Sequence, residues 1–258
     1  MLAKTKIQLI HSLEHKKHRA RLGLFVAEGD KTVREILDSL LTVEYLLAKP
    51  AWLEQLPVHL LSKANFVVEI DDRELSKISF MKTPSQAMAL VQIPQYRLNM
   101  AEITDVLSLY LDEVQDPGNL GTIIRLADWF GIRHVLCGHG CADPFNPKTV
   151  QSTMGAIIRV RTYQTDESFF KLLKTHRPDF QVYGTFLNGE NLYKVQLSSK
   201  AVIVMGNESK GISDEVAQHI NRRLLIPSYS SVGATSESLN VATAAAIVCA
   251  EFRRNDVS

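Results

Sequence analysis

The sequence has almost no excess of charge: 29 Lys and Arg stand against 28 Asp and Glu, for a net +1 over 258 residues. That balance excludes a chain that is basic throughout, so a polyanionic partner would have to be met by a local patch. Cysteine is scarce. Cys137, Cys141 and Cys249 are too few for a disulfide framework, which points to a reducing cytoplasm. No apolar run approaches the roughly 20 residues of a membrane span. The N-terminus lacks the apolar core of a signal peptide. There is no internal repeat and no low-complexity tract. A Gly-x-Gly-x-x-Gly run is also missing, which argues against a standard dinucleotide site.

What is present is an ordinary globular composition, 45% hydrophobic and 22% charged, in strands and helices that alternate along the chain. Leu2 to Leu13 has a ragged helical pattern. Gly23–Glu28, Val43–Ala48, Val58–Leu61 and Gln86–Gln92 read as strands, with helices capped by Gly29-Asp30 and Asp71-Asp72. This predicts a small α/β domain over 1–97, a linker over 98–105 and a second α/β domain over 106–258. In the second domain the strands are expected at Val106–Leu111, Arg133–Cys137, Ile157–Val160, Gln181–Phe186, Ala201–Met205 and Leu224–Ile226. An Ala- and Val-rich helix closes the chain. Near the N-terminus Lys16, Lys17, Arg19 and Arg21 form a local basic patch suited to phosphates. Trp52 and Trp129 fall in helical apolar patterns and read as core.

Ligands of open α/β sheets collect beyond the carboxyl ends of the strands. Three such ends are rich in Gly, Asn and other polar residues. The first runs from Leu111 through Asp116-Pro117-Gly118-Asn119 to Arg125. Asn119 is placed as a helix N-cap. Arg125 lies among Ile123, Ile124, Leu126 and Ala127, so its guanidinium must leave a largely buried helix or find a partner. The second, Met205-Gly206-Asn207-Glu208-Ser209-Lys210-Gly211-Ile212, has glycines at Walker spacing but no lysine where that motif needs one. The third leads from Ile226-Pro227 through a long Ser-rich stretch to Ser238-Leu239-Asn240 at the start of the last helix.

Taken in order, N-x-G…R, M-G-x-E-x-x-G and I-P…S-L-N-V-A resemble the three motifs of the SpoU-type RNA ribose 2′-O-methyltransferases of the SPOUT superfamily. The resemblance covers Leu109 to Arg254. It implies a C-terminal parallel-sheet domain tied in a trefoil knot, and an N-terminal substrate-binding domain like that of certain RNA-binding ribosomal proteins. The implied cofactor is S-adenosylmethionine, held by Gly206, Ile226 and Leu239, with Thr185 and Phe186 nearby. The implied catalytic set is Arg125 with Asn119, Glu208, Ser238 and Asn240. Implied partners are structured ribosomal or transfer RNA and a second copy of the chain, joined through the C-terminal domain. Two departures stand out: Asp116 replaces the family's usual Asn, and the segment 229–235 is longer. A silent RNA-binding module of the same fold would lack one of the polar site residues. Guanine N1 methylation is disfavoured by Ser238-Leu239-Asn240.

The run His134…Cys137…His139…Cys141 offers four soft ligands, but its spacing fits no closed zinc site. No metal is expected.

Overall fold

The structure is a computed structural model that describes residues 2–229 and 238–254. Of the long segment 229–235, only Tyr229 belongs to the described residues. The first half of the chain forms α1 (Lys4–Ser12), α2 (Lys16–Leu22), β1 (Leu24–Glu28), α3 (Asp30–Leu37), β2 (Val43–Ala48), α4 (Pro50–Glu54), α5 (Val58–Leu61), β3 (Ala64–Glu69), α6 (Asp72–Ile78) and β4 (Ala87–Gln92). The second half forms α7 (Met100–Ile103), β5 (Leu107–Leu111), α8 (Pro117–Trp129), β6 (His134–Cys137), α9 (Pro147–Ser152), β7 (Arg161–Gln164), α10 (Ser168–His176), β8 (Gln181–Asn191), β9 (Ala201–Met205), α11 (Asp214–Ala217), β10 (Arg222–Leu225) and α12 (Val241–Arg253).

These elements pack as two compact units, Met1–Gln95 with Asp143–Ile158, and Tyr96–Ala142 with Arg159–Ser258. These compact units divide the chain differently from the expected domains at two places. The expected linker 98–105 belongs to the second unit. Asn99 caps α7 through the Ala101 N–H, and Ile103 is fully buried in that unit's core. The segment Asp143–Ile158, expected in the second domain, packs in the first unit instead.

The first unit holds a four-stranded mixed sheet in the order β1-β4-β2-β3. Only β2 and β3 run parallel. Val58–Leu61, expected as a strand, is the short helix α5. Pro57 sits at its N-cap with φ −56°, and its carbonyl accepts the N–H groups of Leu60 and Leu61. The strand follows later, at Ala64. Helix α6 starts as expected and carries a full capping box, Asp71 with Glu74. The added segment is held by named contacts. Phe145 meets Phe25 of β1 at 5.1 Å between ring centroids, and Asn146 caps α9.

The second unit holds a six-stranded sheet in the order β10-β8-β9-β5-β6-β7, parallel throughout. β5 and β9 lie at its centre and are buried at every position, as parallel strands covered on both faces require. From β5 the chain moves outward to β6 and β7. It then returns to build β8, β9 and β10 on the other side, so the order reverses between β5 and β9. Such a reversal opens a crevice at the carboxyl ends of the two strands. The strand expected at Ile157–Val160 is a 3₁₀ turn over Ala156–Ile158, preceded by Gly155 at φ +91°, and pairing begins at Arg161.

Candidate active site

Two loops leave the crevice, after β5 and after β9. The β5 loop turns through Glu113, a non-glycine residue at φ +53°, and enters α8. Asp116, not Asn119, caps that helix. Its Oδ1 accepts the Asn119 backbone N–H at 2.8 Å, and Pro117 takes the first helical position. Asn and Asp cap about equally well, so the Asp at this position is a cap-for-cap exchange. With the cap supplied by Asp116, the Asn119 side chain is released for other work.

The β9 loop is closed on itself. Asn207 and Gly211 exchange two backbone hydrogen bonds of 2.8 and 2.9 Å. Asn207 Oδ1 accepts the N–H groups of Ser209 and Lys210, and its Nδ2 donates to the Glu113 carbonyl at 2.9 Å. A second tie joins the same loops: buried Asp112 accepts the Ser213 N–H at 2.7 Å. A Cβ at Gly206 would lie 2.3 Å from the Gly211 carbonyl carbon. The glycine is thus required by the loop's own return.

Between these loops the polar residues meet. Asn119 Nδ2 donates to Glu208 Oε1 at 2.5 Å. Asn119 Oδ1 accepts from Asn240 Nδ2 at 3.1 Å. Asn240 Oδ1 caps α12 by accepting the N–H groups of Ala242 and Thr243. The direction of the chain is chemically determined. A carboxylate and a helix N-terminus demand opposite partners, so each amide has one orientation that satisfies both sides. Ser238 Oγ lies 3.4 Å from the Glu208 carbonyl, a long contact. Asn119 and Glu208 are half-buried, and Ser238 and Asn240 are exposed.

Arg125 does not join this cluster. It lies six residues beyond Asn119, about 120° around the helix. Its side chain is exposed and makes no hydrogen bond or ion pair with another described residue. Of the two outcomes expected for its guanidinium, the structure shows the first. It shares an outward stripe with Thr122 and Trp129; Trp129 is 83% exposed and not the core residue expected. Trp52 is buried.

The apolar candidates lie within β8, just after β10 and just before α12. β8 and β10 pair with a break in register, from Arg223↔Gly184 to Leu224↔Glu190, which leaves 185–189 outside the pairing. Thr185 and Phe186 begin that stretch and are half-buried. The Arg223 guanidinium lies 4.4 Å over the Phe186 ring. Ile226 follows β10 and is half-buried, and Leu239 is 46% exposed. Open apolar groups beside a few fixed polar ones are the usual lining of a small-molecule site.

The Cys/His run has other uses. His134 is stacked with Tyr163 and hydrogen-bonded to its hydroxyl at 3.0 Å. Cys141 Sγ donates to the Leu111 carbonyl at 3.2 Å, and burial pushes its thiol up to about 11. Among the described residues no group of three His, Cys, Asp or Glu is placed to hold a metal.

In the basic N-terminal patch, Lys16, Lys17 and Arg21 are exposed, but Arg19 is 1% exposed. Its guanidinium is engaged by Asp143 and by the carbonyls of Leu13 and Glu14, at 2.7 Å each. Arg19 therefore anchors the segment Asp143–Ile158 and is not available to RNA. The sequence showed its charge but not its distant partner.

The SpoU rRNA methylase family profile matches residues 106–250, more than half of the chain. The chain belongs to the SpoU rRNA methylase family. A profile of the MRM3-like substrate binding domain matches residues 4–89. This SpoU family chain is 33% identical over 256 residues to the 23S rRNA (guanosine(2553)-2′-O)-methyltransferase RlmP of Bacillus subtilis, covering 96% of each chain. A protein of Porphyromonas gingivalis assigned to the TrmH family of RNA methyltransferases matches at TM-score 0.86 with 41% identity, covering 99% of both chains. An AdoMet-bound rRNA methyltransferase of Sinorhizobium meliloti matches at TM-score 0.87 with 29% identity, covering 100% of this chain and 97% of that one.

Proposed function

We infer that this chain transfers the methyl group of S-adenosylmethionine to a ribose 2′-hydroxyl of RNA. The Bacillus relative, matched over nearly its full length, favours ribosomal RNA as the substrate. The observation that carries the reading is the chain Asn240–Asn119–Glu208, which joins all three motifs at the order reversal of the parallel sheet.

Bound S-adenosylmethionine supplies an electrophilic methyl on a sulfonium centre. The half-buried Ile226 and Phe186, the open Leu239 and the close-packed Gly206 loop fit such a group. Thr185 lies at the start of the unpaired stretch beside them. The protein must hold a weakly nucleophilic hydroxyl in line and help its proton leave. Glu208, fixed by Asn119, presents a carboxylate at the crevice, and Ser238 and Asn240 fix the start of α12. A guanidinium carries donors and no acceptor, so the role of Arg125 is to stabilise charge developing on the 2′-oxygen or to hold the adjacent phosphate.

Arg125 and Trp129 face outward on α8, and α12 presents small residues such as Ala244 and Ala246. This supports a homodimer through the second unit, with Arg125 completing the site at the interface. The TrmH-family likeness supports a trefoil knot, an exception to the rule that chains avoid threading. The substrate-binding profile supports RNA recognition by the first unit, with Lys16, Lys17 and Arg21 on phosphates. No helix of the described residues is long and apolar enough to cross a membrane. The bacterial relatives support a cytoplasmic enzyme.

Calorimetric titration of the parent and of Glu208→Gln with S-adenosylmethionine, beside methyl transfer to ribosomal RNA, tests this. Both proteins should bind, and transfer by the variant should fall about 10²-fold or more. No binding by the parent, or full transfer by Glu208→Gln, would overturn the assignment.

A further inference from the structure

We propose that the outer edge of the first unit's sheet is a stacking site for an unpaired RNA base, built from Phe66 and Tyr45 with Lys6 as its cation. The proposal rests on the reading of the chain as an RNA-modifying enzyme and gives that enzyme a specific contact.

β3 is an edge strand, with β2 as its one neighbour. Tyr45 and Phe66 are register partners across that pair, so both side chains emerge on the same face of the sheet. Their rings are stacked, 5.0 Å between centroids and 20° between planes. Tyr45 packs onto the core beneath α1. Phe66 lies one strand further out and is 52% exposed. The Lys6 ammonium sits 3.2 Å from the Tyr45 ring centroid, so cation, ring and outer ring follow one another toward the open edge.

The side chain seated on the pair is a cation, and the Glu74 carboxylate of α6 is taken by the Leu2 N–H ahead of α1. α1 carries Lys4 and Lys6 and no acid, and exposed Lys63 stands just before β3. The nearest carboxylate in sequence, Glu44, lies on the alternate face, where Asn65 and Gln92 donate to it. A protein partner would need a broader apolar surface. Here the exposed apolar group on this face of β3 is the Phe66 ring; Val67 points to the other side. An open aromatic face beside a lysine is the composition of a single-strand nucleic-acid platform, where the ring takes the base and the cation takes a phosphate.

The test uses the full chain and a short single-stranded RNA, compared with the same sequence annealed as a duplex. In Phe66→Trp, single-stranded RNA should quench the new fluorescence beyond the signal of the parent's own tryptophans, and duplex should not. Phe66→Ala should weaken single-strand binding about 5- to 100-fold. Phe66→Leu, which keeps apolar bulk without a π-face, should be equally weak. Lys6→Gln should lower the salt dependence of binding by about one unit of slope. Parent-like affinity in Phe66→Ala or Phe66→Leu, or equal quenching by duplex, would overturn the platform. So would a loss of self-association in Phe66→Ala with RNA affinity unchanged, which would make the edge a protein contact. These failures are separable from failure of the enzyme assignment, in which the parent itself would transfer no methyl group to RNA.

Discussion

Asn119 shows how one side chain comes to be held from both ends. Its backbone N–H is taken by Asp116, and its amide is oriented by a carboxylate on one side and a second amide on the other. The sequence placed Asn119, Glu208, Ser238 and Asn240 in one site through motif resemblance. It mistook Asn119 for the cap, because Asp116 and Asn119 are both good capping residues and spacing alone does not choose between them. It passed over Asn207 and Asp112, whose hydrogen bonds tie the two loops together. An Asn straight after a buried strand is a turn signal, but its partner Glu113 lies 94 positions away. Arg125 is separated from the polar chain, so its removal should leave cofactor binding intact. We expect Arg125→Ala to lower the rate of methyl transfer about 10²- to 10³-fold with unchanged affinity for S-adenosylmethionine. Arg125→Lys should recover little of it if a planar fork is needed. Single-turnover kinetics beside calorimetry separates the two quantities.

At the scale of elements, the site depends on where two helices begin. α8 starts at Pro117 because Asp116 caps it, and α12 starts at Val241 because Asn240 caps it. Each start fixes a residue of the polar chain. Asp116→Ala should destabilise the protein by about 0.5–2 kcal/mol, whereas Asp116→Asn should be close to neutral. Chemical denaturation of both variants checks this, and equal loss in both would deny the capping role. Strands were legible where burial made them continuous apolar runs, as in Leu107–Leu111 and Ala201–Met205. They were not legible where Pro57 turned the tetrapeptide Val58–Leu61 into a helix, or where Gly155 set off a 3₁₀ turn. In both cases a local backbone preference overrode the apolar pattern.

At the scale of the molecule, the least legible feature was the placement of Asp143–Ile158 in the first unit. It depends on a buried ion pair between residues 124 positions apart. Arg19→Ala would leave Asp143 without its charge partner, so we expect a loss of about 3–5 kcal/mol. A merely weaker affinity for RNA, at full stability, would contradict this. Two histidines of the second unit carry an acid sensitivity of their own. Burial, with Arg161 for His134 and with Lys171 and Lys174 for His219, holds both histidines below their ordinary value. Folding therefore disfavours the charged form of both rings. The stability tied to them is present above about pH 6.5, the unfolded value, and is lost as pH falls toward the folded values. His219 stacks on Phe170 at 5.2 Å, and its buried Nε2 has no partner. His219→Phe should thus keep the melting temperature near neutral pH and flatten its fall below pH 6.5, at about 2–4 °C per kcal/mol.

The central claim is methyl transfer to a ribose 2′-oxygen. The most direct measurement incubates the purified protein with ribosomal RNA lacking this modification and isotopically labelled S-adenosylmethionine, then digests the RNA to nucleosides for mass spectrometry. The account predicts label in a 2′-O-methylnucleoside, lost in Arg125→Ala. Label confined to a base, or RNA left unlabelled by the parent protein, would contradict it.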